Sequence, residues 1–350
     1  TDVVHNFRGT KISGSATSTG SFGALEIPGN LKVDSASQIF ASTGAGSNNT
    51  IFGRNAATSF GANNGTNIIV GPNAADAMDG TESHNIVIGL HAMGAADEGA
   101  SGGIDFNIAI GNSALWGGVF SGTTQLYGNI AIGYQALSST DTNGSTGQIG
   151  IGFQALEKVT TGPGNFAVGY NAGKLLTTGQ YNLAIGQDAL TTATELDDNL
   201  AIGKGALRYA SGSAGKGRNM AIGYLAGKSV TSGEFNVLIG RSAGDQQTTA
   251  NANTYMGYFA GYNTISGSEN VFIGRQAGYE FKNANSPYNV YVGSFAGYHN
   301  QTGRYNTYIG GQAGFGASGN SHSNNTGVGT NALNDVTTGG DNVAIGSFVA

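Results

Sequence analysis

The stretch "NMAIGYLAGKSV", Asn219–Val230, carries a glycine, three residues, then Gly-Lys-Ser. A phosphate-binding loop needs four residues between its glycines, because that arc of backbone N–H groups wraps the phosphates and delivers the lysine. The gap from Gly223 to Gly227 is one residue short. Acidic clusters offer a second chemistry, with Asp76, Asp79 and Glu82 in "DAMDGTE" and Glu195, Asp197 and Asp198 in "TELDD". Two carboxylates roughly 5–9.5 Å apart across a cleft would suit glycoside hydrolysis. Both clusters, however, fall in loop-like segments, where solvated acids are the ordinary case. The five histidines (His5, His84, His91, His299 and His322) show no metal-ligand spacing. No aspartate recurs at a fixed place, as a calcium-binding coil would require. These residues point away from an enzyme, and they call for no cofactor and no metal.

The lysine and serine of the opening stretch belong to one copy of a repeat and not to its frame. Anchoring on the Asn of N-x-x-[IV]-G, copies start at Asn49, Asn67, Asn85, Asn107, Asn129, Gln148, Asn165, Asn182, Asn199, Asn219, Asn236, Asn253, Asn270, Asn289, Asn306, Asn325 and Asn342. Eight of the sixteen intervals are 17 residues, none is shorter, and the longest is 22. A fixed minimum with occasional insertions is the mark of a stacked coil, whose extra residues can only bulge outward. Numbering from the Asn as position 0, position +4 is Gly in all seventeen copies and +7 is Ala in sixteen, Val349 being the exception. Position +3 is always a large apolar residue, from Phe52 to Ile345. The insertions fall before the next Asn in polar, turn-rich segments such as "SGSAGKGR" and "KNANSPY".

The triplet after the Asn alternates at period two and predicts a short strand. Gly at +4 suits a tight corner, and "YQAL" or "RSAG" after it predicts a second extended piece. The fold expected is all-β: a parallel β-solenoid of about seventeen 17-residue rungs over residues 49–350, preceded by an irregular β adaptor over 1–48. In register, Asn165, Asn182, Asn199, Asn219, Asn236, Asn253 and Asn270 would form an amide ladder, each side chain bonding to the next rung. We expect +1 and +3 to face the core and +2 to face outward. Position +2 is Ala109, Ala131, Ala167, Ala184, Ala201 and Ala221, then Leu238, Tyr255, Phe272, Tyr291 and Tyr308. An apolar column facing outward needs covering, so the expectation is a homotrimer. Whether each chain winds its own coil or three chains intertwine is open at this level.

Composition narrows the function. Gly is 61 of 350 residues, charged residues are 10%, and the net charge is −6 with only 15 Lys and Arg. No basic patch suggests nucleic acid, and no apolar run approaches the ~20 residues of a membrane-spanning helix, so we expect no membrane insertion. There is no Cys. The chain starts on Thr and stops nine residues into its last copy, which leads us to expect a fragment or processed product. Surface aromatics are the candidates for recognition: Tyr258 directly after the corner Gly, and Tyr262, Tyr279 and Tyr298 after the Ala-Gly pair. They could stack on sugar rings, or on one another between rungs.

Arrays of "NxAIGYxAxxxxTTGxxN" resemble the repeat regions of bacteriophage tail fibres and related receptor-binding proteins, and "ISGSATSTGSFGALE" looks like the leader before such arrays. The same rung is similar to the head repeats of bacterial trimeric autotransporter adhesins. The resemblance covers nearly the whole chain and implies an extracellular homotrimer on a virion or a cell surface. Its partner would be a host-surface glycan or protein receptor. The first expectation is the shaft or receptor-binding part of a phage tail fibre. The alternative is a bacterial surface adhesin or extracellular fibril, and the third is a polysaccharide-degrading tailspike. Many such fibres end in a self-cleaving intramolecular chaperone, and no such domain is present in this sequence.

Overall fold

A computed structural model describes residues 25–27, 31–33, 38–41, 49–59, 65–78, 82–96, 103–117, 125–139, 145–213, 215–282 and 287–349. Asp79, His5 and most of residues 1–48 lie outside these. The described chain contains strands and turns and no helix. Each of the seventeen copies contributes one short strand, from Thr50–Gly53 to Val343–Ile345. Consecutive strands pair parallel and in identical register, as Ala131 with Ala109 before it and Gly150 after it. The product is one continuous parallel ladder, the wall of a β-solenoid. At its start Gln38–Ala41 pairs antiparallel with Thr50–Gly53 and covers the first strand's free edge. Leu25–Ile27 and Leu31–Val33 form a separate antiparallel pair.

The faces are the reverse of the sequence expectation. Position +2 is buried in every rung, while +1 and +3 are half-buried or exposed in every rung. The reason is the period of the strand: residues two apart share a face. Once the Asn at 0 turns inward to its ladder, +2 must turn inward with it, and +1 and +3 turn out. A core lined by Ala is narrow, which is why +2 tolerates so small a residue.

The segment from +5 to +8 is an arch and not the second strand expected. Residues +6 and +8 take left-handed φ in rung after rung, as Gln135 (52°) and Leu137 (51°), or Asp188 (55°) and Leu190 (51°). The +7 amide closes a turn on the carbonyl of the +4 glycine, as Ala189 on Gly186 at 3.2 Å. Arches also bond along the rod, Leu190 N–H to the Ala206 carbonyl at 3.0 Å. Among the described residues a second short strand precedes the Asn in three rungs, at Gly103–Asp105, Gln125–Tyr127 and Ser145–Thr146, and single parallel bridges join Gly65 to Ser83, Ser83 to Asp105 and Asp197 to Gly217.

Position +4 is glycine because neighbouring arches touch there. Its φ lies between 128° and 147° throughout, and a Cβ on Gly223 would stand 2.5 Å from the carbonyl oxygen of Gly240 in the next rung. The core is closed by complementary volumes at +2, +8 and +11. Four rungs with Ala at +2 carry Leu at +8, as Ala184 with Leu190 and Ala201 with Leu207. Rungs with an aromatic at +2 carry Gly at +8, as Phe272 with Gly278, where a Cβ would meet the ring at 2.5 Å. Where +2 and +8 are both small, as at Ala167 and Gly173, the +11 residue Leu176 fills the space. Tyr255, Phe272, Tyr291 and Tyr308 then stack up the core with centroids 4.7 to 5.3 Å apart.

Burying phenols demands partners. The Tyr291 hydroxyl donates to Asn289 Oδ1 (3.2 Å) and accepts from Asn300 Nδ2 (2.9 Å), while the Tyr308 hydroxyl lies 2.7 Å from His322 Nδ1. Burial pushes the His322 imidazole down to about 4, so the ring is neutral at pH 7.

Candidate functional site

The largest feature on the outside is the sheet face that +1 and +3 create. Of its 34 side chains thirty are aliphatic, aromatic or methionine, four are Thr (Thr50, Thr254, Thr307 and Thr326), and none is charged. Phe52, Ile68, Met220, Met256 and Ile309 are each about 40% exposed. With strands ~4.8 Å apart, seventeen of them make this stripe roughly 75 Å long. A monomer's surface seldom carries so long a run without charge. The apolar surface that needs covering is therefore Ile, Leu and Val at +1 and +3, and not the Ala and Tyr column expected at +2. The clue was present: the ladder and +2 have the same parity.

Inside, the Asn residues form the ladder. Asn182 Oδ1 accepts from both the backbone N–H and the Nδ2 of Asn199, at 3.0 Å each. Its own Nδ2 donates to Asn165 Oδ1 (3.0 Å) and to the Leu196 carbonyl (2.7 Å). Asn165, Asn219, Asn236, Asn253 and Asn270 receive or give the same bonds with small variations. Each is at most 2% exposed, so every lost partner would leave a buried group unpaired. Asn182→Leu is expected to cost about 3–5 kcal/mol, since several such groups at 1–3 kcal/mol each are stranded. Asn182→Gln should cost well under half as much, because Gln148 already fills the slot and accepts from Asn165 N–H at 3.0 Å. Denaturant midpoints of the two variants decide it, and equal midpoints would remove the ladder as a source of stability.

The four tyrosines expected from the sequence fall in two columns, Tyr258 exposed at +5 and the other three half-buried at +9. Tyr262, Tyr279 and Tyr298 stack in parallel with Phe315, centroids 5.1 to 5.4 Å apart, so both faces of Tyr279 and Tyr298 are covered by rings. Desolvation in that stack, with the neighbouring phenols, raises the Tyr279 and Tyr298 hydroxyls above their usual pKa. A sugar stacks on a free ring face, and these two offer none. Tyr258, 42% exposed, lies in the +5 column, where the Arg241 guanidinium sits 5.8 Å from its ring and 5.4 Å from that of Tyr224. Tyr134, Phe153 and Tyr170 form a second exposed stack in the same column.

The acids of "TELDD" do structural work. Asp197 is buried, its Oδ1 accepting from Gln180 N–H (3.0 Å) and its Oδ2 from Gly215 N–H (2.9 Å) in neighbouring rungs. Asp198 is exposed with Arg218 at 3.9 Å. His84 stacks on Phe106, and His299 meets Glu280 at 3.0 Å. Among the described residues no group of three His, Asp or Glu could hold a metal ion. No protein-family model matches this chain, and no curated protein matches it either.

Proposed function

We propose that copies of this chain lie against one another along the +1/+3 face as a homotrimer, forming the shaft of an extracellular adhesive fibre of the phage tail-fibre kind. The uncharged stripe carries the reading. It repeats every rung, so a partner complementary along all of it must have the same ~4.8 Å repeat and a similar length. Another copy of the chain satisfies both. A stripe ~75 Å by ~10 Å offers on the order of 800 Å2, the area that a stable interface takes from each partner. Host attachment, to a surface glycan or protein, follows from the sequence resemblance and from what a rigid rod is suited to, holding a contact site away from its anchor.

Solution mass tests the assembly. The wild-type chain is expected at three times 35.3 kDa. Ile185→Lys with Ile202→Lys, two half-buried outer positions in adjacent rungs, is expected to give a folded monomer, because a buried, unpaired charge at an interface costs several kcal/mol. A monomeric wild-type protein would overturn the proposal.

A further inference from the structure

The +9 column departs from its pattern at one place. From rung to rung it reads Thr58, Asp76, Gly94, Trp116, Ser138, Glu157, Lys174, Thr191, Arg208, Lys228, Asp245, then Tyr262 onward. Trp116, the only tryptophan of the chain, is bracketed by the two smallest residues of the column. On one side the indole lies over Gly94, where a Cβ would stand 3.1 Å from Cζ3. On the other side Ser138 leaves a notch of about 350 Å3, walled by Trp116 and, one rung further, by Glu157 and Lys158. Ser138 and Ser139 line it, with Gln135 and His91 on its flank.

We propose that this notch is a saccharide subsite for one neutral pyranose, stacked on Trp116. Trp116 and Glu157 stand two rungs apart, about 10 Å, which admits a sugar ring at van der Waals distance from the indole with its far hydroxyls beside the carboxylate. Glu157 is 7% exposed and carries acceptors only; its Oε1 meets Lys158 Nζ at 2.7 Å, while its buried Oε2 faces Lys174 Nζ at 3.5 Å, so Oε1 is the acceptor left to a ligand. A vicinal diol can donate to that carboxylate and accept from that ammonium at once. An aromatic wall with a few convergent polar groups is the usual make-up of a small-ligand site. Unlike Tyr279 and Tyr298, this ring has a neighbour too small to cover its face. The assignment rests on the adhesive reading for its biological meaning but not for its chemistry.

Because Trp116 is the only indole, its fluorescence reports the notch directly. Methyl glucopyranosides, galactopyranosides and mannopyranosides are titrated into the full chain, with saturation-transfer NMR of the same sugars as an independent readout. At least one is expected to give a saturable change. Ser138→Tyr, which places in the column a residue it already holds at Tyr262, is expected to weaken it about tenfold or more by covering the ring. Glu157→Gln, which keeps the shape, is expected to weaken it less. Saturation by none of these sugars, or unchanged binding in a folded Ser138→Tyr chain, overturns the subsite. Adsorption of labelled protein to intact bacterial cells separates the two readings. Sugar binding without adsorption leaves the subsite and removes the adhesive role, and adsorption with no sugar binding at Trp116 does the reverse.

Discussion

Gly278→Leu alone is expected to unfold the Asn270 rung, and adding Phe272→Ala to restore most of what is lost. A Cβ at Gly278 would come within 2.5 Å of two Phe272 ring atoms, so a leucine cannot enter unless the ring leaves. Overpacking of this kind costs about 1–3 kcal/mol or more. Phe272→Ala alone removes a fully buried ring that stacks on Tyr255 and Tyr291, at about 3–5 kcal/mol. Together the two changes recreate the pairing of the Asn182 rung, where Ala184 faces Leu190 at φ 51°, close to the 59° of Gly278. Holding leucine in that left-handed conformation costs about 1–2 kcal/mol relative to glycine, so recovery should be large and incomplete. A double-mutant cycle on denaturant midpoints measures the coupling, expected at about 3 kcal/mol or more, the upper end for residues in contact. Additive losses would mean that +2 and +8 do not share one volume.

Gly223→Ala should be severely damaging, and no second substitution should rescue it. Its φ of 139° is a conformation that L side chains rarely adopt, and the obstructing atom is the Gly240 carbonyl oxygen, part of the next rung's backbone. Strain of this type costs about 1–3 kcal/mol before the clash is counted. In a stack where each rung contacts only its neighbours, the loss falls between two rungs. The rod is expected to melt in two steps, one for each side of the break, where the wild type melts in fewer. Gly311→Ala, with nothing within 4 Å of its Cβ position, serves as the control and should stay within about 0.5 kcal/mol of wild type. A single unchanged transition in Gly223→Ala would refute the close approach of the arches.

The solenoid was legible because its constraints repeat. A Gly at +4 seventeen times over and an Asn that yields its slot only once, to Gln148, specify a corner and a ladder without any knowledge of contacts. The direction of the side chains was harder. Ile at +1 and +3 around Ala at +2 looks like a core strand with a small outward residue, and hydrophobicity alone favours burying isoleucine. What overrides it is the Asn, whose bonds require shelter and whose parity carries +2 inside. The arch was misread because its conformation lies in φ, which Gln135 and Leu137 do not advertise as glycine would. Trp116 escaped notice because it is one residue; only the column through Gly94 and Ser138 gives it meaning, and the register of a column becomes visible once insertions of different length are aligned in space.

The volume balance at +2, +8 and +11 has a consequence for how such a chain changes over generations. Most rungs close much of their own core, and every rung offers the same amide, the same carbonyl and the same glycine to whatever lies above and below. A stretch of DNA encoding one such unit can therefore be duplicated or lost by unequal crossing-over, and the joint it leaves is chemically the one that was there before. Length becomes a heritable quantity adjustable in steps of one strand spacing, while the loops at the edge and the occasional odd residue in a column diversify on their own.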